Sequence, residues 1–290
     1  MVAGELACVI LEPLTGACGV LPDDESFPCA ARDLTEGHDV PVIFDEVLTF
    51  RLAHGGAQER YGVTPDRTAL GRFIGGGLPV GAFGGRADNM SVVHPEAGAV
   101  DHSGAFNENS AASAAGVATL AALDKAAVAE LNRLGERLRA GAREIAAAHD
   151  CPLTVTDDGS VFQLHGTAGP VTDVRFATAT GAFADRVLAM RNRAIFLAPR
   201  GTSSLSAPMG DGEVDASLAA IRGVLECTRA AVARADTRTE RLVVWSAPVG
   251  YPSIAASEIS SASSRAATAS STSPSVIVSG GVTTMVLTDV

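Results

Sequence analysis

Two clusters of residues in this chain have types and spacing suited to chemistry. The first is Asp45-Glu46, a pair of carboxylates that closes the apolar run Val40–Phe44. An apolar run without polar alternation suits a strand buried on both faces of a parallel sheet. A carboxylate at the C-terminal end of such a strand lies where α/β proteins bind ligands. Successive side chains on a strand point to opposite faces, so Asp45 and Glu46 cannot serve one ligand, whereas Val47 shares the face of Asp45. On the dipeptide alone, a strand-end carboxylate that caps the next helix is the simpler reading of Asp45. The second cluster is Gly75-Gly76-Gly77, which permits unusual backbone angles and close approach of main chain to a ligand. It follows Arg72, whose guanidinium stays protonated and is a poor nucleophile.

The elements that must position these groups follow from the patterning around them. Leu6–Leu11 is another continuous apolar run, closed by Glu12-Pro13, and Phe27–Glu36 between the two runs has helix-like composition. The order strand, helix, strand argues for an α/β layer. From Ser110 to His149 the chain is dense in Ala, Leu, Glu and Arg, which predicts two helices broken near Asp124-Lys125. The second of these, Ala126–His149, places Leu131, Leu134, Leu138 and Ile145 near one face, a stripe suited to packing. Shorter segments near Leu153–Thr156 and Val161–His165 precede a helix near Thr180–Arg193, a strand-like Ala194–Ala198 and a helix near Asp215–Ala233. These read as a smaller α+β domain. Ser253–Ser275 is dominated by Ser, Ala and Thr and cannot bury enough apolar surface to offset the entropy of ordering, so disorder is expected there.

Composition narrows the function classes. The formal net charge of −11, with no basic run, offers no footprint for a phosphate backbone and argues against nucleic acid as a partner. Five irregularly spaced cysteines, with no C-x-x-C pair and no His/Cys cluster, suggest neither a disulfide framework nor a metal site. They fit a reducing compartment. The N-terminus carries Glu5 and Glu12 without a basic stretch and does not read as a secretory signal. No apolar stretch is long enough to span a bilayer, so the expected location is the cytoplasm with no membrane partner.

Together, Val42-Ile43-Phe44-Asp45-Glu46-Val47 and Thr68-Ala69-Leu70-Gly71-Arg72, followed by the glycine triplet and Leu78-Pro79-Val80-Gly81-Ala82, resemble the core of class III aminotransferases. These are pyridoxal 5'-phosphate (PLP) enzymes. The resemblance is strongest from Glu12 through Leu120 and includes His102–Asn109, which is similar to the family's Ser-Gly-Thr-Phe-Asn-Asn-Asn stretch. Two subgroups are in view, the β-phenylalanine-type β-amino-acid aminotransferases and the glutamate-1-semialdehyde 2,1-aminomutases. Thr49-Phe50-Arg51-Leu52-Ala53 and Ala198-Pro199-Arg200-Gly201 are similar to the first.

The resemblance implies an α/β fold: the C-terminal half of the fold-type I transferase large domain plus a small α+β domain. The expected division is residues 1–130 for the partial large domain, 131–233 for the small domain and 234–290 for a disordered tail. Relatives carry a long N-terminal portion ahead of the point where this sequence begins, which makes a truncated chain the expectation. By resemblance, Asp45 pairs with the protonated pyridine nitrogen of PLP, Val47 packs on its ring and Arg200 binds the substrate carboxylate; Arg200 also reads as a surface arginine after a proline. Arg72 stands at the family's Schiff-base lysine and Ala105 at its phosphate-binding threonine, while the sole lysine, Lys125, lies elsewhere. A lysine amine can attack an aldehyde and a guanidinium cannot at a useful rate. The implied reaction is transamination between an amino acid and a 2-oxo acid in a homodimer, and this chain alone is expected to be impaired in it. Two alternatives stay open: an aminomutase-like enzyme completed by a partner chain, and a non-catalytic regulatory protein that binds PLP or phosphate.

Overall fold

The computed structural model describes residues 6–22, 26–94, 96, 99–173, 181–236 and 284–287. Its elements begin with β1 (Val9–Leu11), β2 (Leu14–Thr15), β3 (Leu21–Pro22), α1 (Ser26–Glu36), β4 (Val42–Asp45), α2 (Gly56–Tyr61), β5 (Arg67–Gly71) and β6 (Gly81–Gly85). They continue with α3 (Ala87–Met90), α4 (Ser110–Ala122), α5 (Lys125–Ala148), β7 (Thr154–Asp158) and β8 (Val161–His165). Helix Gly181–Arg191, strand β9 (Thr202–Ser204), helix Asp211–Asp236 and strand β10 (Thr284–Leu287) complete the order.

The larger sheet runs β1-β4-β5-β6-β10. β1, β4 and β5 are parallel, β6 is antiparallel to β5, and β10 is parallel to β6. One face is well covered: Val42 and Phe44 are fully buried, together with Leu11 and Val63, against Cys29, Ala31 and Tyr61. The expectation that both apolar runs are buried on both faces is not met. Ile10 on edge strand β1 is 65% exposed, and Ile43 on the opposite face of β4 is only half buried.

The second sheet is the antiparallel β7-β8-β9, with Val155 opposite Leu164 and Phe162 opposite Ser203. Helix α5 packs on it. Asp124 caps α5 by accepting a hydrogen bond from Ala127 N at 2.8 Å, which explains the break expected near Asp124-Lys125. Leu131, Leu134, Leu138 and Ile145 fall on the buried face, as their helical spacing predicts. The strand expected at Ala194–Ala198 is absent. Arg191 Nε and Nη2 donate to the Leu197 carbonyl at 3.0 and 2.8 Å, and Ala198–Gly201 closes a turn, so pairing starts only at Thr202.

Polar cross-links join the region before β5 to the second sheet and to α5. Arg51 Nε donates to Ser160 Oγ at 3.0 Å and Arg51 Nη2 to the Leu205 carbonyl. Arg60 and Tyr61 both engage Asp158, and Asn132 Nδ2 donates to the Leu52 carbonyl at 3.0 Å. Burial pushes the Arg51 guanidinium below its ordinary value, a sign of how far it is withdrawn from water.

The expected division at residue 130 falls inside α5, and the expected tail start at 234 falls inside helix Asp211–Asp236. Ser253–Ser275, expected to be disordered, lies outside the described residues, whereas Thr284–Leu287 of the same tail is a strand beside β6. Among the described residues no single helix is long and apolar enough to cross a membrane.

Candidate functional site

Parallel pairing sets the site. β4 and β5 run side by side with Asp45 opposite Ala69, so both strands end at the same edge of the sheet. Gly71 closes β5, and Arg72 follows at once in a single 3-10 turn, Arg72–Gly75. The methyls of Val47 lie 3.5 Å from where a Cβ on Gly71 would sit, which brings Val47 against the base of that turn. Asp45, Val47 and Arg72 are thus gathered at the C-terminal ends of adjacent parallel strands, where loops diverge and leave room for a ligand.

Within this cluster each group has a distinct state. Asp45 Oδ1 accepts from Val47 N at 3.0 Å, so half of the carboxylate is spent on its own turn. The other oxygen has no hydrogen bond among the described residues, which leaves it free for a donor from outside. Arg72 is exposed and adopts φ +55°, a left-handed conformation that costs a non-glycine residue about 1 kcal/mol or more. Its guanidinium has no hydrogen bond or ion pair among the described residues.

The turn after Arg72 explains the glycine triplet. A Cβ on Gly76 would lie 2.6 Å from the Ala115 carbonyl and 2.7 Å from Thr119 Oγ1, and Gly76 has φ +60°. A Cβ on Gly75 would lie 2.6 Å from Val80 Cγ1. Gly76 lets the turn sit directly on α4, where a Cβ on Gly116 would in turn meet the Ile74 carbonyl at 2.6 Å, and Gly75 makes room for Val80. The role of Gly76 in the structure is close packing of backbone on a helix, while Gly77 supplies a φ of +94°.

Glu46 is the functional-looking residue whose task the sequence reading left undefined. It is fully buried and faces away from Asp45, as strand alternation requires. Its Oε2 accepts from Ala57 N at 2.5 Å and Thr49 Oγ1 at 3.3 Å. Its Oε1 accepts from Gln58 N and Gln58 Nε2, both at 3.2 Å. Burial raises its pKa, and the four donors only partly offset that. Glu46 is therefore the residue of the pair that caps a helix, while Asp45 is the one left facing the site.

The remaining expected site residues lie elsewhere. Ala105 is exposed in the segment ahead of α4, which His102 ties to β6 by an edge contact with Phe83 at 5.1 Å between ring centroids. Arg200 is exposed in the turn before β9, and its Nη1 donates to the Ala17 carbonyl at 2.8 Å. Lys125 is an exposed first-turn residue of α5.

Residues 1–184 match the protein family described as aminotransferase class-III. The chain belongs to that family. It is 43% identical over 198 residues to a glutamate-1-semialdehyde 2,1-aminomutase of Desulfotalea psychrophila, a match covering 67% of this chain and 46% of that protein. A second aminomutase, from Lysinibacillus sphaericus, is 44% identical over 200 residues. The chain spans about half the length of the curated relatives it matches. Among solved structures, an omega-transaminase from Sphaerobacter thermophilus superposes with a TM-score of 0.74 at 36% identity, covering 78% of this chain and 53% of that one. A β-phenylalanine aminotransferase from Variovorax paradoxus gives 0.74 at 35%, covering 79% and 54%. The fold is accordingly the C-terminal half of the PLP-dependent transferase large domain with a small α+β domain, and PLP is the cofactor of this aminotransferase family.

Whether this aminotransferase homologue fits PLP is decided residue by residue. The open oxygen of Asp45 suits a protonated ring nitrogen, and Val47 could back the ring. Arg72 in this cluster is a guanidinium, which stays protonated and is a poor nucleophile, and Ala105 carries no hydroxyl. Among the residues gathered at this edge there is no amine to which the cofactor could be joined covalently.

Proposed function

We propose that this chain is a class III aminotransferase homologue that has lost Schiff-base chemistry. The observation that carries the reading is Arg72, held at the end of β5 beside Val47 and Asp45 with no amine in its place. The proposed ancestral reaction is amino-group transfer between an amino acid, in its narrower form a β-amino acid, and a 2-oxo acid. A cytoplasmic homodimer is the setting proposed for it.

The test is borohydride reduction of the purified protein after incubation with PLP, followed by peptide mass mapping. The expected result is no reduced adduct in the native chain and an adduct at position 72 in Arg72→Lys. A native adduct, on Lys125 or any other amine, together with transaminase turnover would sink the proposal. A second reading, completion by a partner chain, is favoured by the 65% exposure of Ile10 on edge strand β1 and by Phe27 and Leu34, 51% and 70% exposed on α1. Its check is co-purification of a paralogue that restores turnover.

A further inference from the structure

We infer that Arg72 anchors a different kind of ligand: an amphiphilic monocarboxylate whose apolar tail occupies the cavity beside it. This rests on the reading that Arg72 is not a covalent catalyst. The cavity has a volume of about 710 Å³, within the range that holds small organic ligands. Leu138, Phe162, Leu164, Leu197 and Leu205 line its apolar part, all from the buried core around the second sheet and α5. Leu48 and Arg72 close it from the side of the larger sheet.

Charge singles out Arg72 among the cations on this wall. Arg139 is committed to Glu136 and Asp157, with Nη2 at 2.5 Å and Nε at 2.9 Å. Arg193 donates to the Ala189 and Gly223 carbonyls at 3.2 and 3.4 Å. Glu213, the acidic group on the wall, accepts from Gly210 N at 2.8 Å. Arg72 alone among the described lining cations has no protein acceptor, although its left-handed backbone is a conformation that a side chain seldom adopts without a compensating contact. A carboxylate matches the planar fork of a guanidinium bidentately, and an apolar tail matches the rest of the wall. A second charge at the far end of the ligand would lie against leucine and phenylalanine, at a desolvation cost that an apolar tail avoids.

The experiment is calorimetric titration of the full chain with decanoate and, separately, with 1-decanol. Decanoate should bind more tightly than decanol. Arg72→Ala should weaken decanoate by about tenfold or more while leaving decanol unchanged, because a charge-assisted bidentate pair is lost. Ala216→Trp, at an exposed lining position, should weaken both ligands. No decanoate binding, or equal binding of the two ligands that ignores Arg72→Ala, overturns the inference. The borohydride test reads a covalent adduct and the titration reads reversible binding, so failure of the one is distinguishable from failure of the other.

Discussion

Replacing Glu46 by alanine is the sharpest way to ask whether the strand-end pair divides its labour as described. The carboxylate takes four hydrogen bonds, two of them from the backbone N–H groups of Ala57 and Gln58 at the start of α2. Truncation leaves those buried donors without an acceptor, at about 1–3 kcal/mol each. The side-chain donors of Thr49 and Gln58 add roughly 1 kcal/mol. Relief of the desolvation penalty on the carboxylate returns part of this, so the expected loss is about 3–5 kcal/mol. Glu46→Gln keeps an acceptor for Ala57 N but turns an amide NH2 toward Gln58, and should cost about 1–2 kcal/mol. Urea unfolding with an unchanged m-value gives the difference directly. The pH profile supplies an independent sign. Glu46 is raised by burial, so its contribution is present below 4.5 and is lost as pH rises through the folded value. The margin of the native chain over Glu46→Gln should therefore narrow with rising pH. An alanine variant within 1 kcal/mol of the native chain, or a margin that widens with pH, refutes the account.

Three further expectations follow from single residues. Gly76→Ala forces a Cβ into φ +60° and to within 2.6 Å of the Ala115 carbonyl, and should lower stability by about 2–3 kcal/mol in thermal or urea unfolding. Burial alone would push Asp66 up, but Val42 N, Arg32 and Arg86 outweigh it and hold it below 3.8. Its stabilisation is present above 3.8 and lost as pH falls through the folded value, so Asp66→Asn should flatten the acid limb of the stability profile. Leu134→Ala, at a side chain with no exposed surface, should cost about 2–5 kcal/mol; a cost below 1 kcal/mol would mean that α5 is not packed as described.

The parts of the molecule legible in sequence are those with strong local patterning. The leucine stripe of α5 and the break before it are visible because helical spacing and an Asp cap are local signals. The apolar run ending in Asp45 is legible for the same reason. Burial on the far side of β1 was not legible, because it depends on what covers Ile10 rather than on Ile10. Ala194–Ala198 failed as a strand because the Arg191 guanidinium takes the Leu197 carbonyl, a competition invisible in composition. At the site, alternation separated Asp45 from Glu46, but nothing local shows that Glu46 holds two N–H groups of a helix ten residues on. Gly56, at φ +80° with a hypothetical Cβ 2.5 Å from Glu46 Oε2, is the signal that such a close approach exists. The cavity beside Arg72 needs residues from position 48 to position 221 and could not have been read from any one stretch.

The clasp of Arg51, withdrawn from water and bonded to Ser160 and the Leu205 carbonyl, has a kinetic consequence. Swinging the second sheet away would strand a guanidinium, a hydroxyl and a carbonyl together in a closing gap, so the junction does not behave as a hinge. A ligand must then enter the cavity from the exposed Arg72 side, without parting of the two sheets. The Leu205 amide, which donates to the Ser160 carbonyl at 3.0 Å, should exchange with solvent as slowly as those of β8 itself.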